Sequence, residues 1–123
     1  MRRFRQVLEA HGGDALFVPQ VCEMIGVSER TLRWCCQEQI GMGPMRFLLL
    51  RRMQLARRAL RLADPAAETV TSIATRFGFW ELGRFAGSYR SLFAEPPSAT
   101  LRRPPDERGQ LAAGFPAILA EIA

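Results

Sequence analysis

The stretch Val70 to Leu101, VTSIATRFGFWELGRFAGSYRSLFAEPPSATL, holds two short amphipathic segments on either side of a glycine. The apolar residues of the first segment have the i, i+3, i+4, i+7 spacing of one helical face: Val70, Ile73, Ala74 and Phe77. Gly78 then supplies the positive φ that ends a helix in a tight turn. Another helical face follows the turn, formed by Phe85, Tyr89, Leu92 and Phe93. The stretch therefore predicts a helix-turn-helix, a unit whose second helix can enter the major groove of DNA.

The same arrangement is predicted nearer the start of the chain, over residues 18–39. A short helix is expected from Val18 to Ile25, with Pro19 at the first helical position. Gly26 supplies the turn after it. Ser28 is a natural N-cap for a further helix, which is expected to run from Glu29 to about Gln39. The sequence thus predicts two helix-turn-helix units in one chain.

A long helix is predicted between the two units, from about Pro44 to Leu62, with Asp64-Pro65 beyond its end. Its inward-facing residues are expected to be Phe47, Leu48, Leu55, Ala56, Ala59 and Leu60. At about 1.5 Å per residue the helix spans roughly 28 Å, which is close to the length of about 34 Å for one turn of B-DNA. One chain can therefore present two recognition helices to one face of a duplex, and its half-sites need not be palindromic.

Three groups of motifs occur in a fixed order along the chain. They are Ser28-Glu29-Arg30-Thr31-Leu32 with Gly41-x-x-Pro44, then Arg51-Arg52-x-x-x-Ala56-Arg57, then Ile73-Ala74-x-x-x-Phe77-Gly78-Phe79 followed by Phe85, Tyr89, Phe93 and Pro97. Together they resemble the DNA-binding domain of the AraC/XylS family of bacterial transcription regulators, over roughly residues 1–103. The resemblance implies an all-α fold: two helix-turn-helix subdomains, each a homeodomain-like three-helix unit, joined by the long central helix. Residues 104–123 are expected to form a mostly disordered tail.

The resemblance also implies which residues face the DNA bases. In the first recognition helix they are Arg30, Arg33 and Trp34. Arginine suits this role because it can form a bidentate pair with guanine O6 and N7, although contact with phosphates alone is the alternative. In the second recognition helix the matching positions are Glu81, Leu82, Gly83, Ala86 and Gly87. Small residues offer little to base edges, so this helix is expected to contribute shape fit and phosphate contacts more than sequence readout.

Two side chains near the second recognition helix have open roles. Glu81 could accept a hydrogen bond from cytosine N4, or its charge could stabilise the helix N-terminus. We favour the second interpretation. Trp80 could pack within the fold or face the DNA backbone. The residues expected to contact phosphates are Ser28, Arg46, Arg51, Arg76, Arg84, Arg90, Arg102 and Arg103.

Charge and composition agree with a nucleic-acid partner. All 17 basic residues are arginine, and residues 1–103 hold sixteen of them against nine acidic residues, a formal charge of +7. Such a balance favours a polyanion, although a genome rich in arginine codons would also produce a basic protein. No run of 18 apolar residues predicts a membrane span, and no apolar signal core follows Met1. We expect a bacterial cytoplasmic protein at the nucleoid, with double-stranded DNA as its partner, RNA polymerase as a second candidate partner, and no small-molecule ligand or membrane contact.

Catalytic and metal-binding chemistry finds no support in the sequence. Cys22, Cys35 and Cys36 have no Cys-x-x-Cys spacing and are expected to be small buried hydrophobes, with a redox sensor as the alternative. His11 is expected at the end of the first helix, without a nucleophile or base beside it. We therefore expect neither an enzyme nor a cofactor or metal. Two other classes stay open: a protein-interaction module that has lost DNA binding, and the targeting domain of a DNA-repair enzyme.

Overall fold

The computed structural model describes residues 1–103, which form seven α-helices and contain no strand. In chain order these helices are α1 (Arg2–Ala10), α2 (Val18–Ile25), α3 (Glu29–Gln39), α4 (Pro44–Leu62), α5 (Val70–Arg76), α6 (Leu82–Phe93) and α7 (Pro97–Arg102). The chain divides into two compact units, Met1–Arg52 and a second that begins at Met53, so the boundary between them lies within α4. None of the described helices is long and apolar enough to cross a membrane.

The helices follow the sequence prediction closely. The bounds predicted for α2, α3 and α4 are confirmed, and α1 ends just before His11 as expected. The short helix α7 was not predicted, although Pro97 at its first turn is a common helix-starting signal. The expectation of a disordered tail concerns residues 104–123, which lie outside the described residues. The division of the chain into a domain and a tail therefore stays a prediction.

The first unit buries one face of each of its helices. Phe4 of α1 packs its ring against that of Phe47 of α4, with the ring centroids 5.4 Å apart. Between α2 and α3 the chain turns at Gly26, whose φ of 73° is left-handed and whose N–H donates to the Cys22 carbonyl at 2.9 Å. A glycine suits this position because a Cβ makes left-handed backbone costly. The predicted helix-turn-helix is therefore present in this unit.

Arg51 is the largest fully buried side chain of the described residues, with no exposed surface. Its Nη1 donates to the Asp14 carbonyl oxygen at 2.7 Å, and its Nη2 donates to the His11 carbonyl oxygen at 2.6 Å. Longer contacts of Nη2 reach the carbonyl oxygens of Leu8 at 3.4 Å and Gly12 at 3.3 Å. The guanidinium thus satisfies the carbonyls at the C-terminal end of α1, where a helix favours a positive charge.

The second unit is built on a row of aromatic rings along α6. Ring centroids are 4.8 Å apart for Phe79 and Phe85, 5.7 Å for Phe85 and Tyr89, and 4.7 Å for Tyr89 and Phe93. Gly78 turns the chain between α5 and α6 with a φ of 84°, and the next N–H, of Phe79, donates to the Ala74 carbonyl at 2.9 Å. Of the apolar face predicted for α6, Phe85, Tyr89 and Phe93 are confirmed as buried, and Leu92 is half-buried.

A hydrogen-bonded group attaches α7 to α6 in the second unit. The Tyr89 hydroxyl donates to Thr100 Oγ1 at 2.7 Å, and that oxygen in turn donates to the Glu95 carboxylate. Arg103 Nε donates to the other carboxylate oxygen of Glu95 at 2.9 Å. Arg57 of α4 lies over the Phe93 ring, 4.8 Å from its centroid. Thr100 is buried, so these hydrogen bonds stabilise the fold, because a buried hydroxyl without a partner raises the free energy of the folded state.

The end of α6 carries backbone strain. Ala94 adopts a left-handed φ of 62°. It is the one non-glycine residue with positive φ in the described part of the chain. For an L-residue this conformation costs about 1–2 kcal/mol. The rest of the turn supports it, since the Ala94 N–H donates to the Arg90 carbonyl at 2.9 Å.

Replacing Arg51 should destabilise the first unit severely. In Arg51→Met the apolar volume is largely kept, but the carbonyls of His11 and Asp14 lose their charged donor. Two such hydrogen bonds are worth about 3 kcal/mol together. Urea unfolding would measure this loss, with Arg58→Met, an exposed arginine of the same helix, as the matched control. Equal stability of the two variants would contradict the structural role of Arg51.

Acid should loosen the attachment of α7. Burial tends to raise the pKa of Glu95, but hydrogen bonds from Thr100 and Arg103 and the charges of Arg103 and Arg57 outweigh it, so the pKa lies below its ordinary value of 4.5. A lowered pKa gives stability that is complete above the unfolded-state value and is lost as pH falls through the folded-state value. The urea midpoint should therefore fall below about pH 4.5.

The control for this pH dependence is Glu95→Gln, which keeps the shape of the side chain and removes its titration. Its urea midpoint should be lower than that of the unchanged chain at neutral pH and should vary less between pH 5 and 3. An identical acid limb in both proteins would show that Glu95 does not govern it.

Candidate nucleic-acid interface

The start of α3 is fixed by its N-cap. Ser28 Oγ accepts a hydrogen bond from the Thr31 N–H at 3.1 Å and donates to Thr31 Oγ1 at 3.0 Å. Glu29 adds an acidic side chain to the first turn, where the helix dipole favours it. On the inner face Leu32 and Cys36 are buried. With one face buried and the first turn capped, the opposite face of α3 has a defined direction in the first unit.

The exposed face of α3 carries the three residues predicted to contact bases. Arg30 and Arg33 are exposed, and Trp34 exposes 66% of its surface. Their spacing of i, i+3 and i+4 places them on the same side of the helix. Within residues 1–103 neither guanidinium is held by an ion pair or a hydrogen bond. The surface combines two arginine forks with a large aromatic, a combination that can meet both the polar edges and the apolar groups of bases.

The corresponding face of α6 has different chemistry. Among the positions predicted to face DNA, Glu81, Leu82, Gly83 and Gly87 are exposed, and Ala86 is half-buried. Glu81 is the N-cap residue, but its side chain makes no cap hydrogen bond; its carboxylate lies 3.4 Å from Arg84 Nε instead. Glu81 thus lies at the N-terminus of α6 as predicted. It can favour that terminus through its charge but not through a cap hydrogen bond. Apart from Glu81, this set has no side chain with a hydrogen-bonding group.

Two large apolar side chains at the start of α6 are exposed. Trp80 exposes 76% of its surface and Leu82 exposes 38%. The sequence left Trp80 between a packing role and a DNA-facing role, and packing within the described fold is now excluded as its main role. The neighbouring Phe79 carries the packing, through its ring contact with Phe85.

The residues predicted to contact phosphates fall into three groups. Arg46, Arg90 and Arg102 are exposed. Three other arginines are exposed but pair with acidic neighbours: Arg76 with Glu68, Arg84 with Glu81, and Arg103 with Glu95. The exposed pairs of Arg76 and Arg84 are weak and exchange readily, so they leave these two arginines accessible to a phosphate, whereas Arg103 is held by the largely buried Glu95 carboxylate. The Ser28 hydroxyl is engaged in capping α3.

The prediction that Arg51 contacts a phosphate is wrong. Its side chain has no exposed surface, and its guanidinium is held by carbonyl oxygens of the α1 end and the loop after it. Arg51 was predicted to be exposed because arginine is charged, although Arg51 lies four residues after the buried Phe47. That spacing puts Arg51 on the inner face of α4.

The surroundings of the two buried cysteines disfavour the thiolate form. Cys22 and Cys36 are buried as expected, whereas Cys35 is half-exposed, which corrects the expectation that all three are buried. Burial, with the neighbouring Cys35 and Cys22 thiols, raises the pKa of Cys36 to about 11, and burial also raises the pKa of Cys22. Thiols with raised pKa stay protonated and are poor nucleophiles. Within residues 1–103 no group of three or more His, Cys, Asp or Glu side chains is arranged to hold a metal ion.

Comparison with known proteins gives this interface a family context. Residues 21–103 match the family model described as a helix-turn-helix domain. The chain is 50% identical over 98 residues to the "Probable thc operon regulatory protein" of Rhodococcus erythropolis, covering 80% of this chain and 30% of that protein. It is 35% identical over 103 residues to the "XylDLEGF operon transcriptional activator 3" of Pseudomonas putida, covering 82% of this chain and 30% of that protein. The chain thus spans about 30% of the length of these two relatives.

A solved structure is similar along nearly its whole length. It is the crystal structure of a probable AraC family transcriptional regulator from Rhodopseudomonas palustris CGA009, with a TM-score of 0.67 and 35% sequence identity. The similarity covers 84% of this chain and 96% of that one. Fold, family model and relatives agree with the resemblance carried by the motifs, and the chain belongs to the AraC/XylS family of helix-turn-helix transcription regulators.

Proposed function

We propose that this chain binds double-stranded DNA sequence-specifically, with α3 and α6 in adjacent major-groove segments on one face of the duplex. The observation that carries the proposal is the exposed face of α3, where Arg30, Arg33 and Trp34 stand beside each other within the first two turns of a helix with a capped start. A recognition helix enters the groove by its N-terminal residues, and these three side chains lie in that part of α3.

Arg33 and Arg30 supply the polar part of the readout. A guanidinium placed in the groove forms two parallel hydrogen bonds with guanine, and each good pair discriminates against a wrong base by about 1–3 kcal/mol. Because Leu32 and Cys36 are buried, the packing of α3 fixes the side of the helix from which Arg33 projects. Trp34 supplies an apolar surface for a thymine methyl group or a sugar edge.

The continuous helix α4 supports the placement of both units on one DNA face. Its 19 residues correspond to roughly 28 Å, somewhat less than one duplex turn. A helix of that length can carry two reading units at the spacing of successive major-groove segments, without a second chain. The half-sites are then arranged by the chain itself and need not be palindromic.

Positive charge supplies the part of the binding that does not depend on sequence. Residues 1–103 have a formal charge of +7, and the proposed phosphate contacts are Ser28, Arg46, Arg76, Arg84, Arg90, Arg102 and Arg103. Such contacts fix the register of a protein on the duplex, while base contacts give specificity. We expect RNA polymerase as a second partner, because the relative from Pseudomonas putida is named as a transcriptional activator.

A protein-interaction module is the second candidate, and one observation favours it. Trp80 and Leu82 are exposed apolar groups at α6, as expected of a protein-docking surface. The targeting domain of a DNA-repair enzyme has less support, because the raised pKa values of Cys36 and Cys22 count against an activated cysteine at those positions. Loss of DNA retardation with retention of a protein partner would favour the interaction module.

The direct test is selection of bound sequences from a random duplex pool with the full chain. A shared motif should be enriched, in two blocks about one helical turn apart and without palindromic symmetry. Failure to enrich any motif would contradict sequence-specific binding. Enrichment of a single palindromic block would contradict reading by two units of one chain.

Arg33→Ala should relax selectivity while leaving the fold intact. Affinity for the selected duplex should fall about 10-fold or more, and affinity for an unrelated duplex should fall far less, because a base contact is lost rather than general charge. Competition gel shifts measure both affinities. Arg58→Ala is the matched control, since it removes an exposed arginine outside the recognition helices. Unchanged selectivity in Arg33→Ala would refute the assignment of Arg33 to a base.

A further inference from the structure

The start of α6 forms an apolar edge, here defined as Trp80 and Leu82, the residues that flank the N-cap Glu81. Both side chains are exposed in a unit that buries its other large aromatics more fully, and Trp80 is the most exposed of the large apolar residues in the described part of the chain. Exposing apolar surface to water costs about 25 cal/mol per Å², so a surface partner would recover free energy there. The first unit has a counterpart in Trp34, but that residue stands among arginines.

The surface next to this apolar edge is accessible. A Cβ built at Gly83 or Gly87 would meet no atom within 4 Å, so neither glycine is required by packing inside the chain. Neither has the positive φ found at Gly26 and Gly78. Each lowers helix stability by up to about 1 kcal/mol relative to alanine. Because Gly83 and Gly87 have no side chain, a partner can approach the α6 backbone closely next to Leu82.

The charges around the apolar edge favour DNA as the occupant. Arg84 and Arg90 of α6 and Arg76 at the end of α5 are exposed, whereas the acidic residue within the edge, Glu81, is paired with Arg84 at 3.4 Å and α6 itself contains no acidic residue. An apolar edge at the start of a helix whose charged residues are cationic complements a major groove, whose walls are phosphates and whose floor carries one kind of apolar group, the C5-methyl of thymine. A hydrophobic protein surface would match the centre but not the arginines.

Hydrogen-bonding readout by α6 is limited by its composition. Leu82, Gly83, Ala86 and Gly87 have no polar side-chain group, and the Glu81 carboxylate lies 3.4 Å from Arg84. Guanine and adenine are usually recognised by side-chain donors that these positions lack. Apolar contact is therefore the base-specific chemistry that this helix face can offer.

We infer that the second unit recognises thymine, through packing of Leu82 and Trp80 against C5-methyl groups in its half of the site. The inference rests on the proposed DNA binding and goes beyond it, because α6 then reads sequence instead of only fitting the groove. It assigns different chemistry to the two half-sites: guanine edges for the arginines of α3, and thymine methyl groups for the apolar edge at α6.

Uracil substitution tests this inference without disturbing base pairing. A duplex recovered by the random-pool selection is synthesised with each thymine replaced in turn by deoxyuridine, which removes one methyl group. Affinity of the full chain should fall about fourfold per contacted methyl, the effect of leaving one CH₂-sized group unburied. Sensitive positions should occur in the α6 half-site, and Arg33→Ala should not change their sensitivity.

Substitutions in the protein identify the contact. In Leu82→Ala or Trp80→Ala, thymine and uracil duplexes should bind equally at the position that each side chain contacts. Leu62→Ala is the matched control, because Leu62 is an exposed leucine of the second unit outside α6 and exposes 75% of its surface. This control should keep the full difference between thymine and uracil.

The outcomes separate the inference from the proposed function. Equal binding of every uracil duplex in the α6 half-site, or uracil sensitivity that survives both Leu82→Ala and Trp80→Ala, overturns thymine readout while DNA binding stands. Unchanged affinity of both variants for the thymine duplex also overturns it and leaves the edge to a protein partner. If the selection recovers no bound sequence, the proposed function itself fails, and thymine readout fails with it.

Discussion

One continuous helix completes two separate cores, and this constraint governs the rest of the structure. Residues of α4 before the Arg52/Met53 boundary belong to the first unit, and residues after it belong to the second. Each half contributes a buried arginine with a local task. Arg51 holds the carbonyls at the end of α1, and Arg57 lies over the ring of Phe93. Neither unit can form its observed core without its part of the shared helix.

Burial of one helix face determines what the opposite face displays. In α3, Leu32 and Cys36 face inward, which leaves Arg30, Arg33 and Trp34 outside. In α6 the inner residues are aromatic, and the outer residues are mostly small or apolar. The units share a helix-turn-helix architecture but offer different surfaces to a ligand. An asymmetric DNA site is the direct consequence, under the function proposed here.

Much of the fold could be predicted because its signals are local. Ser28 marks the start of α3, the left-handed glycines mark both turns, and apolar periodicity marks the helix faces. Arg51 was misplaced because a charged residue was assumed to be exposed, although its spacing from Phe47 put it inside. Trp80 was left between packing and contact with the DNA backbone, because it precedes α6 and the apolar periodicity of the helix does not extend to it.

The claim that one chain places two reading units on the same side of a duplex is tested most directly by hydroxyl-radical footprinting of the full chain on a selected duplex. The account predicts two protected patches about 10 base pairs apart, centred on one face of the helix, at a stoichiometry of one chain per duplex. A single patch, or two patches on opposite faces of the duplex, would contradict it.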